Sequence, residues 1–461
     1  MKKLLNIVLS FLLLTLITSP AGLANVTLPG IFTDNMVLQQ NSDIIVWGWA
    51  KTGEKVTVAP GWNVEPVSVV VDNQGKWRTS IHTPAAGGPY TLTISGWNRI
   101  ELKNVLIGEV WLCSGQSNME WSAQSGIVGG EQEIKEADNP MIRLFTVNHG
   151  TSDFPQDHLS GQWVQCTPET MKSFSAIGYF FARKISRELK VPVGIINSSW
   201  GGTPAESWTP GKVYNTDTFL REAAAKQKPV PWGPVEPGRI YNFMISPLVP
   251  FRIAGVLWYQ GEANTINSYA YKEILTSMIT SWRGLWQYNF PFYYAQIAPY
   301  KYGRPSEGAE VRDAQRRALS LDNTGMIILS DIGDTNDIHP RRKLDAALRF
   351  ANMALNRHYN LIKSEDSGPL YKSFTIENDK MIIAFSNADG LNSTGGKPTC
   401  FEIAGEDNVF YKADAKIKDQ TVILQSKNVK KPIIARFAWS NTSTPNLFNS
   451  AGLPASTFTT R

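Results

Sequence analysis

The sequence predicts an α/β protein in which a parallel sheet with helices on both faces is flanked by two β regions. Between residues 106 and 361, short buried apolar runs alternate with stretches of helical period, which is the pattern of a parallel sheet. Residues 25–105 and 362–461 instead hold short β-branched runs separated by turn residues. That pattern indicates a sandwich-like N-terminal domain and a C-terminal β region. A chain of 461 residues has room for this arrangement, since domains average roughly 100–200 residues.

The first 24 residues have the pattern of a signal peptide. Lys2 and Lys3 form a basic head, and residues 4–18 are apolar but too short to span a bilayer comfortably, which takes about 20 residues. Small residues at Gly22 and Ala24 then offer a cleavage site. We predict cleavage after Ala24 and an exported protein, periplasmic or secreted, without a membrane span. An uncleaved membrane anchor is the alternative.

Composition excludes several classes of protein. Hydrophobic residues make up 42% and charged residues 18%, which is typical of a globular chain and not of a disordered one or a coiled coil. The formal net charge of +5 is too small to predict nucleic-acid binding. Only three cysteines occur, without a Cys-x-x-Cys pair or a Cys/His cluster, so the sequence predicts no metal site.

The N-terminal β region is predicted from β-branched runs that turn residues separate. It contains no cluster of titratable residues, so we expect the chemistry to lie elsewhere. The predicted strands are residues 37–40, 44–49, 56–58 and 90–94.

The central region supplies the predicted sheet and its helices, and the C-terminal region returns to strands. The central strands are predicted at residues 106–113, 193–198, 253–259, 292–297 and 325–330. The helices are predicted at residues 173–190, 269–282 and 344–356. The C-terminal strands are predicted at residues 374–376, 381–385 and 421–424. Sheets of this kind bind ligands beyond the carboxyl ends of their strands.

Polar motifs follow three of the central strands. Residues 115–119 (GQSNM) place Ser117 where a nucleophile would stand, although a turn or helix-capping serine is the alternative. Met119 replaces the second glycine of a nucleophile elbow, which disfavours an α/β-hydrolase. Residues 200–204 (WGGTP) could aim a backbone N–H at a ligand. Residues 259–264 (YQGEAN) offer a side-chain amide that could donate to an oxyanion. They also contain Glu262, which could be a catalytic acid or a structural acceptor.

A nucleophilic serine needs a base, and the chain has only five histidines. His339 follows the predicted strand at 325–330 through a loop that carries Asp331, Asp334 and Asp337. A carboxylate beside an imidazole holds its tautomer and raises its pKa. His339 is therefore the candidate base, with a structural loop histidine as the alternative.

These three motifs, followed by residues 337–340 (DIHP) as a fourth, resemble in this order the sialate O-acetylesterase family of the SGNH/GDSL hydrolases, which are named for a Ser, Gly, Asn and His in four blocks. The likeness covers residues 106–355, and both flanking β regions are similar to accessory regions of the family. The resemblance implies an SGNH-like three-layer sandwich. It also implies a serine esterase that removes O-acetyl groups from carbohydrates, such as sialic acid or plant and host glycans, without a cofactor or a metal.

The resemblance also implies a role for each motif. Ser117 would be the nucleophile and His339 the base. The backbone N–H groups of Ser117 and Gly201, with the side chain of Asn264, would form the oxyanion hole. Gln260 is the alternative side-chain donor, because the third block differs from the Gly-x-Asn-Asp that is common in the superfamily.

The motif leaves two candidates for the orienting acid. Asn336 stands three positions before His339, where the superfamily often has Asp. Asp337, two positions before, is our prediction for the acid. Asp334 is the second candidate, and a Ser–His dyad remains open.

Two other functions stay open at this point. A retaining glycosidase could use Glu262 with Asp331 or Asp337, if the carboxyl groups lie about 5–5.5 Å apart. A non-catalytic carbohydrate-binding protein could use the β regions. Loops 119–172 and 203–250 are predicted to set specificity and carry four tryptophans, but they do not identify the acetylated sugar. Those tryptophans are Trp121, Trp163, Trp208 and Trp232.

Overall fold

The computed structural model describes residues 25–461. The predicted signal peptide lies outside the described residues, so cleavage and export remain predictions. The strands are β1 (Val37–Gln39), β2 (Ser42–Trp49), β3 (Lys55–Pro60), β4 (Val67–Val70), β5 (Lys76–Thr83), β6 (Gly87–Ser95), β7 (Arg99–Gly115), β8 (Asn139–Thr146), β9 (Trp163–Cys166), β10 (Val193–Ser199), β11 (Gly255–Tyr259), β12 (Phe292–Ala295), β13 (Thr324–Ile327), β14 (Leu370–Glu377), β15 (Lys380–Ser386), β16 (Asn392–Ser393), β17 (Phe401–Ala404), β18 (Tyr411–Lys412), β19 (Asp414–Lys418), β20 (Thr421–Gln425), β21 (Ile434–Phe437), β22 (Leu447–Phe448) and β23 (Phe458–Thr459).

The helices lie almost entirely in the central region. The α-helices are α1 (Ser117–Glu120), α2 (Gly130–Lys135), α3 (Pro168–Met171), α4 (Ala176–Leu189), α5 (Lys212–Thr216), α6 (Thr218–Ala224), α7 (Tyr271–Trp286), α8 (Glu307–Arg317) and α9 (Lys343–Arg357). Short 3₁₀ or π turns lie at Ala123–Ser125, Ala205–Trp208, Tyr241–Ile245, Ser246–Leu248, Glu262–Ala270 and Ala318–Ser320.

The central sheet has the strand order β13-β12-β11-β7-β10-β8-β9. Its pairs are parallel except the last, in which β9 runs antiparallel to β8. All residues of β10 and β11 are buried, as expected for strands covered on both faces. The predicted α/β class with a parallel sheet is therefore confirmed.

Helices cover both faces of this sheet. Along β11, Val256 and Trp258 belong to the same apolar cluster as α7, whereas Leu257 and Tyr259 belong to the cluster that contains α4 and α9. Successive side chains of a strand point to opposite faces. The sheet therefore forms the middle layer between two helical layers.

Helix α4 shows why the predicted helices form. Its first turn is capped by Ser175, whose side chain accepts a hydrogen bond from the Gly178 N–H at 3.1 Å. Ile177, Phe181 and Ile185 recur at helical spacing and are fully buried. The apolar stripe then fixes α4 against the sheet.

The N-terminal strands are continuous with the central sheet. Strand β7 runs through the predicted boundary at 105/106, and β1 pairs parallel with it, with Val37 opposite Leu106. Strands β3, β4 and β6 join the same sheet, while β2 and β5 form a separate antiparallel pair. Strand β7 therefore begins in the N-terminal β region and ends at the motif that contains Ser117.

The C-terminal strands form two four-stranded sheets and a short pair. Phe385, Phe437 and Phe458 pack in their common core. Arg312 of α8 is buried and donates to the Ala438 and Ser440 carbonyl oxygens. This arginine ties the C-terminal region to the central one.

Several elements of the central region were not predicted, among them two strands and a helix. Strands β8 and β9 extend the sheet at one edge, and α8 packs behind β11 and β12. Helix α8 has a largely polar sequence, yet Arg312, Asp313 and Gln315 are buried. Their hydrogen bonds to other elements compensate for burial, and such partners leave no periodic signal in the sequence.

Within residues 25–461, no helix is long and apolar enough to cross a bilayer. The same part of the chain groups no three His, Cys, Asp or Glu side chains as ligands for a metal ion. Independence from metals remains a prediction for experiment.

Candidate active site

Ser117 and His339 meet at the carboxyl edge of the central sheet. Ser117 begins α1, directly after β7, and His339 lies in the loop between β13 and α9. The Ser117 Oγ and His339 Nε2 atoms are 2.9 Å apart, which is hydrogen-bond distance. Gly115 makes the turn possible: its φ is +134°, and a Cβ there would lie 2.2 Å from the Tyr259 carbonyl oxygen.

Asp337 is the acid nearest to His339. Its Oδ1 lies 3.8 Å from the His339 Nδ1 and accepts a hydrogen bond from the His339 backbone N–H at 2.9 Å. The Asp334 side chain accepts instead from the Asn336 N–H, and Asp331 forms an ion pair with Arg349. Of the three acids in the loop, Asp337 is therefore the one whose carboxylate lies within 4 Å of the imidazole.

The imidazole of His339 is held by packing and lies in an unusual electrostatic environment. The Trp121 ring stacks on it at 4.2 Å, with 21° between the planes. Burial lowers the pKa of His339, the Lys343 cation lowers it further, and Asp337 raises it. The expectation of a raised pKa is wrong, because burial and Lys343 outweigh the carboxylate. Neutral His339, the form that can accept a proton, thus persists to lower pH than in an ordinary histidine.

Gly201 lies next to Ser117. A Cβ on Gly201 would lie 3.2 Å from the Ser117 Cβ. The N–H donates to the Glu120 carboxylate at 2.7 Å. The other Glu120 oxygen is 3.0 Å from the Nε2 of His149, whose ring stacks on Trp200 at 4.4 Å. A negatively charged oxygen can therefore occupy the position in front of this N–H.

The two predicted side-chain donors are engaged elsewhere. Asn264 and Gln260 are both fully buried. The Asn264 amide donates to Glu206 at 2.8 Å and to Asn267 at 3.0 Å. The Gln260 amide donates to the Asn264 oxygen at 2.7 Å and to the Thr203 carbonyl at 3.3 Å. Each amide thus uses both hydrogens in the network that joins the second and third motifs, so a donor role at an oxyanion requires one of these hydrogen bonds to break.

Glu262 is a buried acceptor rather than a cleft acid. Its Oε1 accepts from the Asn118 side chain at 2.7 Å, and burial raises the pKa of Glu262 to about 6. The glycosidase alternative needs two carboxyl groups facing a sugar. Burial of Glu262 and pairing of Asp331 with Arg349 both disfavour that alternative.

The four tryptophans of the loops predicted to set specificity divide into two groups. Trp163 and Trp208 are buried in the core. Trp232 is 62% exposed and lies against Gly202, and Trp121 covers His339. Only these last two adjoin the candidate site.

Sequence reasoning missed Glu120, His149 and Lys343. Glu120 directly follows the first motif, and that adjacency was an available signal. His149 lies in a polar loop. Lys343 lies in a run of basic residues, which is a pattern typical of an exposed surface. Nothing in their neighbours indicates that the fold brings them to the site.

The chain matches known carbohydrate esterases. The family model "Carbohydrate esterase, sialic acid-specific acetylesterase" matches residues 107–353. The chain is 28% identical to the sialate O-acetylesterase of Homo sapiens, over 76% of this chain and 74% of that protein. The corresponding Pongo abelii enzyme is 26% identical, over 92% of this chain and 90% of that protein. The crystal structure of a carbohydrate acetylesterase from Xanthomonas citri superposes with a TM-score of 0.86 at 34% identity, covering 95% of this chain and 100% of that one.

Proposed function

Because the chain belongs to the carbohydrate esterase family of sialic acid-specific acetylesterases and is a carboxylic ester hydrolase, we propose that Ser117 and His339 remove O-acetyl groups from carbohydrates. The observation that carries this proposal is the 2.9 Å contact between the Ser117 Oγ and the His339 Nε2. It lies at the edge of a parallel sheet where ligands bind. The order of the four motifs supports an SGNH-like arrangement.

In the proposed first step, His339 takes the Ser117 proton while Ser117 attacks the acetyl carbonyl carbon. The backbone N–H groups of Ser117 and Gly201 stabilise the oxyanion that forms. Each well-placed donor contributes about 2.7–4 kcal/mol to the transition state. The acetyl oxygen must take the place of the Glu120 oxygen at Gly201, and His149 is positioned to hold the displaced carboxylate.

The proposed second step regenerates the enzyme. His339 gives its proton to the departing sugar oxygen, which leaves as a hydroxyl. Water, deprotonated by His339, then attacks the acetyl-enzyme. The bond between the Ser117 Oγ and the acetyl carbon breaks, His339 returns the proton to Oγ, and acetate leaves. Asp337 stabilises the imidazolium in both steps, although its 3.8 Å separation from Nδ1 must shorten for a direct hydrogen bond.

Acetate release from defined glycans tests the proposed activity. The panel contains O-acetylated sialic acid, acetylated xylan and acetylated xyloglucan, with p-nitrophenyl acetate as a small reference ester. We expect acetate from at least one glycan and turnover of the reference ester. Release of reducing sugar without acetate would point to a glycosidase, and glycan binding without any turnover would point to a binding protein.

Asp337→Asn is expected to slow turnover and to move the acid limb of the kcat/KM profile to lower pH. The carboxylate raises the pKa of His339, so its removal lowers that pKa further and keeps the imidazole neutral in more acidic solution. Loss of the orienting acid is expected to reduce kcat by about 10²-fold or more. The measurement is kcat/KM for p-nitrophenyl acetate across the pH range.

Asp334→Asn is the matched control, since it removes an acid from the same loop without contact to His339. We expect its rate to stay within about twofold of the parent. A strong defect in Asp334→Asn beside a near-normal Asp337→Asn would reverse the assignment. Mild effects in both would leave a Ser117–His339 dyad.

Asn264→Ala is expected to reduce stability, because Asn264 is a buried partner of Glu206. The substitution leaves the Glu206 carboxylate, which is already buried, without one of its donors. A lost hydrogen bond to a charged group costs about 1.5–3 kcal/mol. Thermal and urea unfolding should record this loss. Unchanged stability with a kcat lower by about 10²–10³-fold would show instead that Asn264 is an oxyanion donor.

A further inference from the structure

The residue after Ser117 lies in a buried polar chain that links three parts of the site. Asn118 is 1% exposed. Its Oδ1 accepts from the Lys343 Nζ at 2.6 Å, and its Nδ2 donates to Glu262 at 2.7 Å. The same Nδ2 donates to the Ile338 carbonyl oxygen at 3.0 Å. Ile338 directly precedes His339, so Asn118 connects the nucleophile's segment to the base's segment.

The two charged residues that flank Asn118, Lys343 and Glu262, determine which way its amide points. An ammonium group can only donate and a carboxylate can only accept, so the amide oxygen must face Lys343 and the amide nitrogen must face Glu262. In the opposite orientation, the amide oxygen would face both Glu262 and the Ile338 carbonyl. The contact between Asn118 and Ile338 therefore depends on Lys343 and Glu262, which do not themselves touch Ser117.

Lys343 stands in a place that is unfavourable for a cation. It is 1% exposed and is the first residue of α9, where the helix dipole disfavours positive charge. Burial lowers the pKa of Lys343 to about 7, against the effects of Glu262 and Asp337. The Trp121 and Tyr259 rings lie 5.9 and 5.6 Å from its Nζ. A stability role alone offers little reason for a lone amine at this position.

We propose that Lys343 and Glu262 are positioning residues, which orient the Asn118 amide from its two ends and so hold His339 against Ser117. The buried Lys343 cation also provides a field that favours the neutral imidazole of His339. The inference rests on the proposed function and adds two residues to it. Neither residue touches the reacting atoms.

The charged groups around His339 fix the sign of the expected pH effect. Asp337 lies on its own loop and is partly neutralised by exposed Arg341 at 3.6 Å. Lys343 approaches from the start of α9, and Glu262 from the segment after β11. Glu120, three residues after Ser117, lies 3.0 Å from His149, whose pKa it raises. Removing the Lys343 cation therefore raises the pKa of His339.

The test is Lys343→Met, which keeps the length of the side chain and removes its charge. We expect kcat for p-nitrophenyl acetate to fall about 10²-fold, the size of effect seen when reacting groups are misplaced, with KM little changed. The acid limb of kcat/KM should move to higher pH, since neutral His339 is the active form. Arg342→Met is the matched control: it removes the neighbouring cation, which is 50% exposed and paired with Asp345.

A second variant separates positioning from a general loss of structure. Glu262→Gln keeps the shape of the side chain, and the double variant Glu262→Gln/Lys343→Met completes a cycle. Since both residues act through one amide, the double variant should lose little more activity than Lys343→Met alone. Near-UV circular dichroism checks that each variant is folded. If Lys343→Met does not fold, the inference requires that Glu262→Gln by itself reduce kcat without changing KM.

Folded Lys343→Met with kcat within about twofold of the parent and an unmoved acid limb would overturn the inference. A double variant whose loss of kcat equals the product of the losses in the two single variants would overturn it as well. Neither outcome affects the proposed function, which depends on whether Ser117→Ala still releases acetate.

Discussion

Replacing Ser117 by alanine is expected to abolish acetate release while the protein stays folded. The Ser117 Oγ lies 2.9 Å from the candidate base and is the atom proposed to attack the acetyl carbon. Nucleophile and base act as a unit, so loss of one costs about as much as loss of both, near 10⁶-fold in kcat. That factor corresponds to about 8 kcal/mol of transition-state stabilisation. The residual rate would come from the backbone donors and binding.

The measurement compares acetate release by the parent and by Ser117→Ala, with unfolding curves for both. Ser117 is partly exposed, so loss of its hydroxyl should change the free energy of unfolding by no more than about 1 kcal/mol. Ser122→Ala is a control in the same segment, because the Ser122 hydroxyl faces Ser125 and not His339. Substantial acetate release by Ser117→Ala with a normal unfolding curve would remove Ser117 from the mechanism.

His339→Ala is expected to cause the second large loss, again near 10⁶-fold in kcat. Without the imidazole, Ser117 keeps its proton and the departing sugar oxygen receives none. The Trp121 ring loses its stacking partner, so the unfolding curve is measured alongside the rate. His158→Ala is the matched control, as His158 is exposed and lies against Trp49 of the N-terminal β region.

The rate of His339→Ala should also lose the pH dependence that the imidazole gives to the parent. In the parent, activity falls as acid protonates His339, with the acid limb below that of an ordinary histidine because burial and Lys343 lower its pKa. A variant that keeps both its rate and its acid limb would mean that another group is the base.

The central fold could be predicted because its signals are local. Strands such as β10 and β11 are apolar throughout, and α4 and α7 carry stripes of helical period. Helix α8 and the β8–β9 edge lack such signals, since their stability comes from tertiary hydrogen bonds and strand pairing. The boundary at 105/106 falls inside β7, because a single strand serves two regions of one sheet.

The same contrast between local signals and tertiary contacts applies to the residues of the candidate site. Ser117, Gly201 and His339 could be located because each follows a recognisable strand at the functional edge of the sheet. Lys343 could not, because its hydrogen-bond partner Asn118 is far away in the sequence. The hydrogen bonds of Asn264 could not be predicted for a similar reason, since one of its hydrogens goes to Glu206 in another segment and the other to Asn267 in its own. Sequence adjacency shows which residues reach the edge of the sheet but not which atoms remain free there.

Covalent labelling of the unmodified chain tests the central claim most directly. An alkyl fluorophosphonate phosphonylates a serine oxygen that a neighbouring base activates. The mechanism predicts one adduct, on the peptide that contains Ser117, formed in proportion to the loss of acetate release and absent in His339→Ala. Full acetate release from protein that is completely labelled at Ser117, or inactivation by an adduct on another residue, would contradict the assignment of Ser117 as the nucleophile.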